Sequence, residues 1–234
     1  HKEYRRQRQM CIRDRYKELP YDPDGFAPIG MVGIGPLVLL SSPKRPFNST
    51  QDIVAYAKQN PGKLTFATFG AGTSSHLAGE LFKERAGIDI LHVPFKGATQ
   101  ALPALISGDV DLFFDMVATG MPQAEAGKAK VFGITSATRL ATEPNLATLA
   151  EQGYPAFDMT AWFSFVAPKG TPAPVLDKLQ TALAETLKDE AVRKRLLDMG
   201  IDPRSGTAAE LDKQVKTEQP IVSQLIKHAN IVLQ

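Results

Sequence analysis

Short apolar stretches alternate with amphipathic ones from Lys63 onward, and this alternation narrows the choice of fold more than any other feature of the chain. "KLTFAT" (63–68) reads as a strand, followed by a loop of small residues and a helix to about Arg85, with Gly87 as its stop. "IDILHV" (88–93) is the next strand, and "PFKGAT" turns it into a helix reaching about Ser107. "DVDLFFD" (109–115), a short helix in "MPQAEAGK" (121–128) and "AKVFGITS" (129–136) continue the series. The pattern predicts a parallel sheet with helices on both faces. Pro103 is tolerable only if it lies in the first turn of its helix.

The flanks read differently. "LPYDPDGFAPIG" (19–30) is turn-rich, and "MVGIGPLVLLSS" (31–42) gives one or two short buried strands separated at Gly35–Pro36. In "FNSTQDIVAYAKQNPG", Ser49 is the expected N-cap and Asp52 its capping-box partner. "FDMTAWFSFVAPKG" (157–170) is a strand-like crossing, and three helical segments follow. The first is expected to be capped by Thr171 with Pro172 at its first position, and the second to end at Gly200. The third starts on a Thr207–Glu210 capping box, and Pro220 is expected to kink it.

Composition excludes several classes. The apolar runs are too short and too broken by Gly and Pro to span a membrane. Cys11 is the only cysteine, so neither an internal disulfide nor a cysteine-based metal cluster can form. The net charge of +2 hides an asymmetry: residues 1–17 hold seven Lys/Arg against Glu3 and Asp14, leaving twenty basic against twenty-three acidic residues in the body. That body offers no basic stripe for nucleic acid. Residues 1–16 show neither a helical or strand period nor the apolar core of a secretory signal. "MCIRDR" resembles translated sequencing-adapter DNA, so 1–16 is expected to be a foreign segment and the encoded protein to begin further upstream.

The loop "GAGTSS" (70–75) bears most directly on function. Gly70, Gly72, Thr73, Ser74 and Ser75 stand between a strand end and a helix start, where the first N–H groups have no intrahelical partner. No Asp or Glu occupies that first turn; the nearest is Glu80. The vacancy suits an external anion, with the hydroxyls as added donors. A P-loop would need a lysine here, and a dinucleotide fingerprint would need a third glycine at Ser75 and an acid where Lys96 stands. A carboxylate remains, and the alternative is a helix capped by its own Thr73 or Ser74 with nothing bound. "VPFKGATQ" (93–100) repeats the logic with Gly97 at a helix start, Phe95 as an apolar wall and Lys96 within reach. Two such turns on adjacent strands lie at one edge of the sheet.

Other residues carry weaker signals. His76 can donate to a ligand or simply pack, and His92 alternates with Leu91 and Val93 as a structural residue. Asp115, at a strand end, can meet a polar or amino group of a ligand, cap a helix or stand as a solvated loop acid. Trp162 is a core or hinge aromatic before it is a stacking platform. No Gly-x-Ser-x-Gly elbow accompanies the Ser74–Ser75–His76 run, and no Asp/Glu/His cluster suggests a metal. Catalysis, metal and cofactor are therefore not expected.

In their order, "LPYDPDGFAPIGMVG", "GAGTSSHLAGELF", "VPFKGATQALPALISGDVDLFFD", "GITSATR", "EQGYPAFDMTAWFSFVAPKGTPAPV" and "LLDMGIDP" resemble the substrate-binding proteins of tripartite tricarboxylate transporters, the Bug or TctC-like family. The resemblance runs from Leu19 to the C-terminus. It implies a type II periplasmic-binding-protein-like α/β fold, two α/β domains with a hinge, the first incomplete. On that pattern 17–34 is a remnant of domain 1 and a hinge crossing. Residues 35–157 form domain 2, and 158–234 supply the return crossing and C-terminal helices packing on domain 1. A Pro-Gly-Gly loop and a signal peptide are expected in the missing portion. The family's second anion loop falls on Gly70 to Ser75 and its following turn on Phe95 to Gly97. The implied function is capture of a small carboxylate (a di- or tricarboxylate, acidic amino acid or aromatic acid) in the periplasm. Delivery would be to the transporter's membrane components, by a monomer that binds no nucleic acid. A rival is the ligand-sensing effector domain of a cytosolic transcription regulator; another is an enzyme handling a phosphorylated substrate.

Overall fold

The computed structural model describes residues 22, 25–229 and 231. The expectation for residues 1–16, and that for most of 17–24, lies outside the described residues. The chain divides into two compact units, one spanning Pro36–Thr160 and the other containing the residues up to Gly35 and from Ala161 onward.

The Pro36–Thr160 unit is built on the second half of β1 (Phe26–Ser41), followed by α1 (Thr50–Gln59), β2 (Thr65–Thr68), α2 (Ser74–Ala86), β3 (Leu91–Pro94), α3 (Ala98–Ser107), β4 (Leu112–Met116), α4 (Val117–Glu125) and β5 (Lys130–Ile134). Its strand order is β3-β2-β4-β1-β5. β2 pairs parallel with both β3 and β4, as the alternation implies. β1 runs antiparallel to β4 and β5, so the sheet is mixed rather than wholly parallel. The reason is the route of the chain: β1 enters this unit at Pro36 and ends beside the start of β4, with Ser41 opposite Leu112.

Alternation along the strands sorts the core onto two faces. Phe113 joins Val38, Leu40 and Ala67 against Ala101 and Leu105 of α3. Phe114 points the other way, edge-on to Phe66 and Phe82, and Phe82 meets Tyr154. Leu37 to Leu40 are wholly buried.

Helix ends follow local chemistry. Ser49 and Asp52 form the expected capping box, and Gly87 ends α2 in the left-handed conformation. Pro103 departs from expectation, standing inside α3 well beyond its first turn. It is exposed, as is Thr99 four residues earlier, so the carbonyl it cannot serve faces water.

β1 is one continuous strand of sixteen residues rather than a broken pair. Pro36 does not interrupt it because it falls between two ladders, one at Met31–Ile34 and one from Leu37 onward.

In the other unit β1 pairs with β6 (Thr160–Pro168) and with β7 (Asp202–Gly206), accompanied by α5 (Ala173–Thr186), α6 (Glu190–Asp198) and α7 (Ala208–His228). β7, "DPRSG", has no strand signature; its pairing with β1 is imposed by a close approach that leaves no room for a Cβ at Gly33 against the Asp202 carbonyl. The Thr207–Glu210 box caps α7, which stays helical through Pro220. Thr171 does not cap α5: its hydroxyl donates to the Pro168 carbonyl, and Pro172 takes the cap position. Trp162 is buried and donates from Nε1 to Glu218 at 2.8 Å, a packing role.

Gly79 marks the closest approach of α2 to β2, since a Cβ there would stand 2.1 Å from the Phe66 ring. Gly79→Ala is expected to lower stability by about 1–3 kcal/mol through forced repacking, read as a lower urea midpoint with unchanged slope. An unchanged midpoint would show that α2 has slack against the sheet.

Candidate functional site

Parallel strands deliver their C-terminal ends to one edge of a sheet. Here the ends of β2, β3 and β4 lead into the N-termini of α2, α3 and α4 respectively. None of the three helices carries an acidic residue in its first turn.

The β2–α2 loop is strongly braced. Gly70 and Gly72 have φ of +128° and +73°, conformations that disfavour a side chain. The Gly70 carbonyl accepts from the Thr73 hydroxyl at 2.9 Å and the Thr73 N–H at 3.3 Å. Thr73 Oγ1 caps α2 by accepting the His76 N–H at 3.4 Å. The Gly72 N–H donates to His76 Nδ1 at 2.9 Å. Ser75 is buried, its hydroxyl donating to the Phe114 carbonyl at 2.5 Å. The hydroxyls of Thr73 and Ser75, expected as ligand donors, are thus engaged by the protein itself. Ser74 is half-buried, and neither its hydroxyl nor the N–H groups of Ser74 and Ser75 meet an acceptor among the described residues.

The β3–α3 turn is barer. Gly97 takes the N-cap position with φ +140° and no side-chain cap. Phe95 packs against the core cluster, and its N–H donates to the Thr68 carbonyl at 3.0 Å, tying this turn to the first. Lys96 is exposed, and its N–H donates to Gln100 Oε1 at 3.3 Å.

A buried carboxylate stands just before the third terminus. Asp115 is fully buried, and its Oδ1 accepts the Met116 N–H at 2.8 Å and the Thr119 hydroxyl at 2.9 Å, while Oδ2 has no partner. Burial pushes this carboxyl up to about 7, against the two bonds that lower it. Oδ1 thus meets the N–H of the α4 N-cap residue, Met116, and no N–H of the first helical turn, so α4 has no side-chain cap.

The supports that sequence reasoning passed over are Thr68, Gln100 and Thr119. Thr119 stands one helical turn beyond Asp115 and carries a sequence signal; Thr68 joins the nearby Gly70 to His92, 24 positions on, and that second partner has none. His92 is a support, as expected, lying 2.7 Å from Thr68 Oγ1 through Nε2. Chemically, the edge offers neutral donors to an anion. Ser75 and His76 are each engaged by backbone, so they form no nucleophile–base pair. No metal-holding cluster occurs among the described residues, and none of their helices is long and apolar enough to cross a membrane.

Residues 9–231 match the model of the tripartite tricarboxylate transporter family receptor. The chain belongs to that family. It resembles the R. palustris protein Rpa4515, solved with adipate (TM-score 0.82, 31% identity, 93% of this chain and 73% of that one). It also resembles the periplasmic binding protein BugD (0.80, 33%, 97% and 77%). MatC from Rhodopseudomonas palustris, with bound malate, is similar as well (0.78, 29%, 94% and 76%). The fold is thus that of periplasmic solute-binding proteins. The chain spans 61–66% of the length of the first curated relatives it matches, from Bordetella pertussis, Pseudomonas and Agrobacterium vitis.

Asp115 makes stability depend on pH with a definite sign. Its carboxyl holds a proton more tightly in the folded chain, at about 7, than at its ordinary 3.8. The folded state is therefore favoured below the ordinary value and loses stability as pH rises through about 7. Asp115→Asn should remove that loss, raising the melting temperature by about 2–8 °C at pH 8 and by less at pH 5. An equal shift at both pH values would remove titration as the cause.

Proposed function

We propose that this chain is the solute-binding component of a tripartite tricarboxylate transport system. In this reading it captures a small carboxylate in the periplasm and passes it to the membrane components without catalysis. The observation that carries it is the convergence of the α2 and α3 N-termini at one sheet edge, with no acidic residue in either first turn, no acceptor for the Ser74 and Ser75 N–H groups among the described residues, and no side-chain cap on α3. Membership of the receptor family and the adipate and malate of the two R. palustris proteins support the same class of ligand.

In the proposed site the first-turn N–H groups of α2 and the Ser74 hydroxyl hold one side of a carboxylate. The uncapped start of α3 at Gly97 takes the other, and Lys96 adds attraction from the rim. Phe95 forms an apolar wall. Gly70, Gly72, Thr73, Ser75, His76 and Asp115 shape and support this edge rather than bond the ligand through their side chains. The two units correspond to the two α/β domains of such a protein, acting as a monomer.

Calorimetry with malate, adipate, glutamate and inorganic phosphate tests the reading. At least one carboxylate is expected to bind and phosphate to be rejected; the reverse would overturn it. Ser74→Asp sets a fixed carboxylate at the α2 terminus and gives two effects of opposite sign. Carboxylate affinity should fall at least about tenfold, while the helix gains roughly 0.3–1 kcal/mol in a thermal melt. Undiminished affinity in this variant would place the ligand elsewhere.

A further inference from the structure

The loop that opens α2 hangs on two stacked histidines. His76 on α2 and His92 on β3 lie face to face, their ring centroids 3.6 Å apart and 14° from parallel. Each reaches a different part of the loop. His76 Nδ1 accepts the Gly72 N–H at 2.9 Å. His92 Nε2 lies 2.7 Å from Thr68 Oγ1, which accepts the Gly70 N–H at 3.2 Å. A backbone N–H can only donate, so His76 must present its lone pair at Nδ1 and carry its proton on Nε2. Nε2 lies 3.6 Å from Glu80 Oε1, one helical turn on.

We propose that His76 is a proton-operated latch on the Gly70–Ser75 loop: the neutral ring holds Gly72, and the protonated ring releases it and loosens the anion-binding end of α2. This rests on the carboxylate reading above and adds regulation of the same site. A second proton on the ring must sit on Nδ1, opposite the Gly72 N–H, and two donors cannot share that bond. The ring is 5% exposed and sealed by Phe66 and His92, so water does not readily replace the lost partner.

The charged and titratable groups facing His76 are Glu80 and Lys83 on its own helix and His92 on β3; β2 presents only Phe66 and Thr68. Burial alone would raise the Glu80 carboxyl, but its bonds with His76 and Lys83 outweigh this and hold it below its ordinary value. It therefore remains an anion, ready to receive an imidazolium at His76. His92 is held down at about 4, by burial first and by His76 second. The incoming charge also attracts an anionic ligand. That attraction acts across partly solvated surroundings, whereas the broken bond lies inside the loop, so release of the loop dominates and affinity falls on acidification.

Backbone amide NMR on the 234-residue chain and its His76→Asn variant tests the latch without any ligand. The asparagine Oδ1 can accept the Gly72 N–H and cannot titrate. Between about pH 8 and about pH 5, exchange protection of the Gly72 amide, corrected for its intrinsic pH dependence, should fall about tenfold in the wild type and stay level in the variant. Unchanged protection in the wild type, or an equal fall in both, overturns the proposal. Should the variant fail to fold, the wild-type His76 ring resonance must titrate with the same midpoint as the Gly72 amide; separate midpoints overturn it. Malate titrated at both pH values should lose about 5–10-fold more affinity in the wild type than in the variant, a loss of about 1–1.4 kcal/mol; equal losses overturn the proposal. A latch seen at Gly72 with neither malate nor adipate bound at any pH would support the latch and sink the carboxylate reading alone.

Discussion

Parallel pairing of β2 with β3 and β4 is the constraint on which the rest of the Pro36–Thr160 unit depends. It gives the three strands one direction, and so brings three strand ends and three helix starts to the same edge. The pairing is held by apolar contacts on both faces of the sheet. Phe66, Phe113 and Phe114 are wholly buried, and the missing side chain at Gly79 lets α2 settle on the Phe66 ring. A polar site on backbone donors needs this arrangement, since an N–H group can be aimed only by fixing the whole peptide plane.

The three helix starts then differ in how their free donors are met. α4 has no side-chain cap, and Asp115 from the preceding strand bonds only the N–H of its N-cap residue, Met116. α2 uses the Thr73 hydroxyl on one donor and leaves the two before it open. α3 has no side-chain cap. Lys96, at the β3–α3 turn, is exposed. On the proposed reading, such neutral donors would meet a carboxylate without a buried counter-ion from the protein.

Much of this was legible because it is local. Ser49 with Asp52, Thr207 with Glu210, and Gly87 each announce a helix end within four residues, and all three behave as read. The strand–helix series was legible for the same reason, and so was the absence of an acid at the α2 start. What the sequence hid is non-local. "DPRSG" becomes β7 only because β1 lies beside it, and β1 survives Pro36 only because its partners change there. The hydroxyls of Thr73 and Ser75 look like ligand donors until Gly70 and Phe114 are seen to hold them. The stacking of His76 on His92, sixteen positions apart, follows from the parallel sheet and from no spacing rule.

Seen together, the bonds around Gly70 to Ser75 explain why a loop of such small residues need not be a loose one. Small residues carry a large backbone entropy, and a ligand that had to order them would bind weakly for that reason alone. Here the ordering is done on folding by Thr68, Thr73 and His76, each bonded to a peptide group of the loop. Two of these supports are hydroxyls, indifferent to pH across the physiological range; the third is an imidazole. If His76 acts as the proposed latch, preorganisation of the site and its sensitivity to acid have one origin.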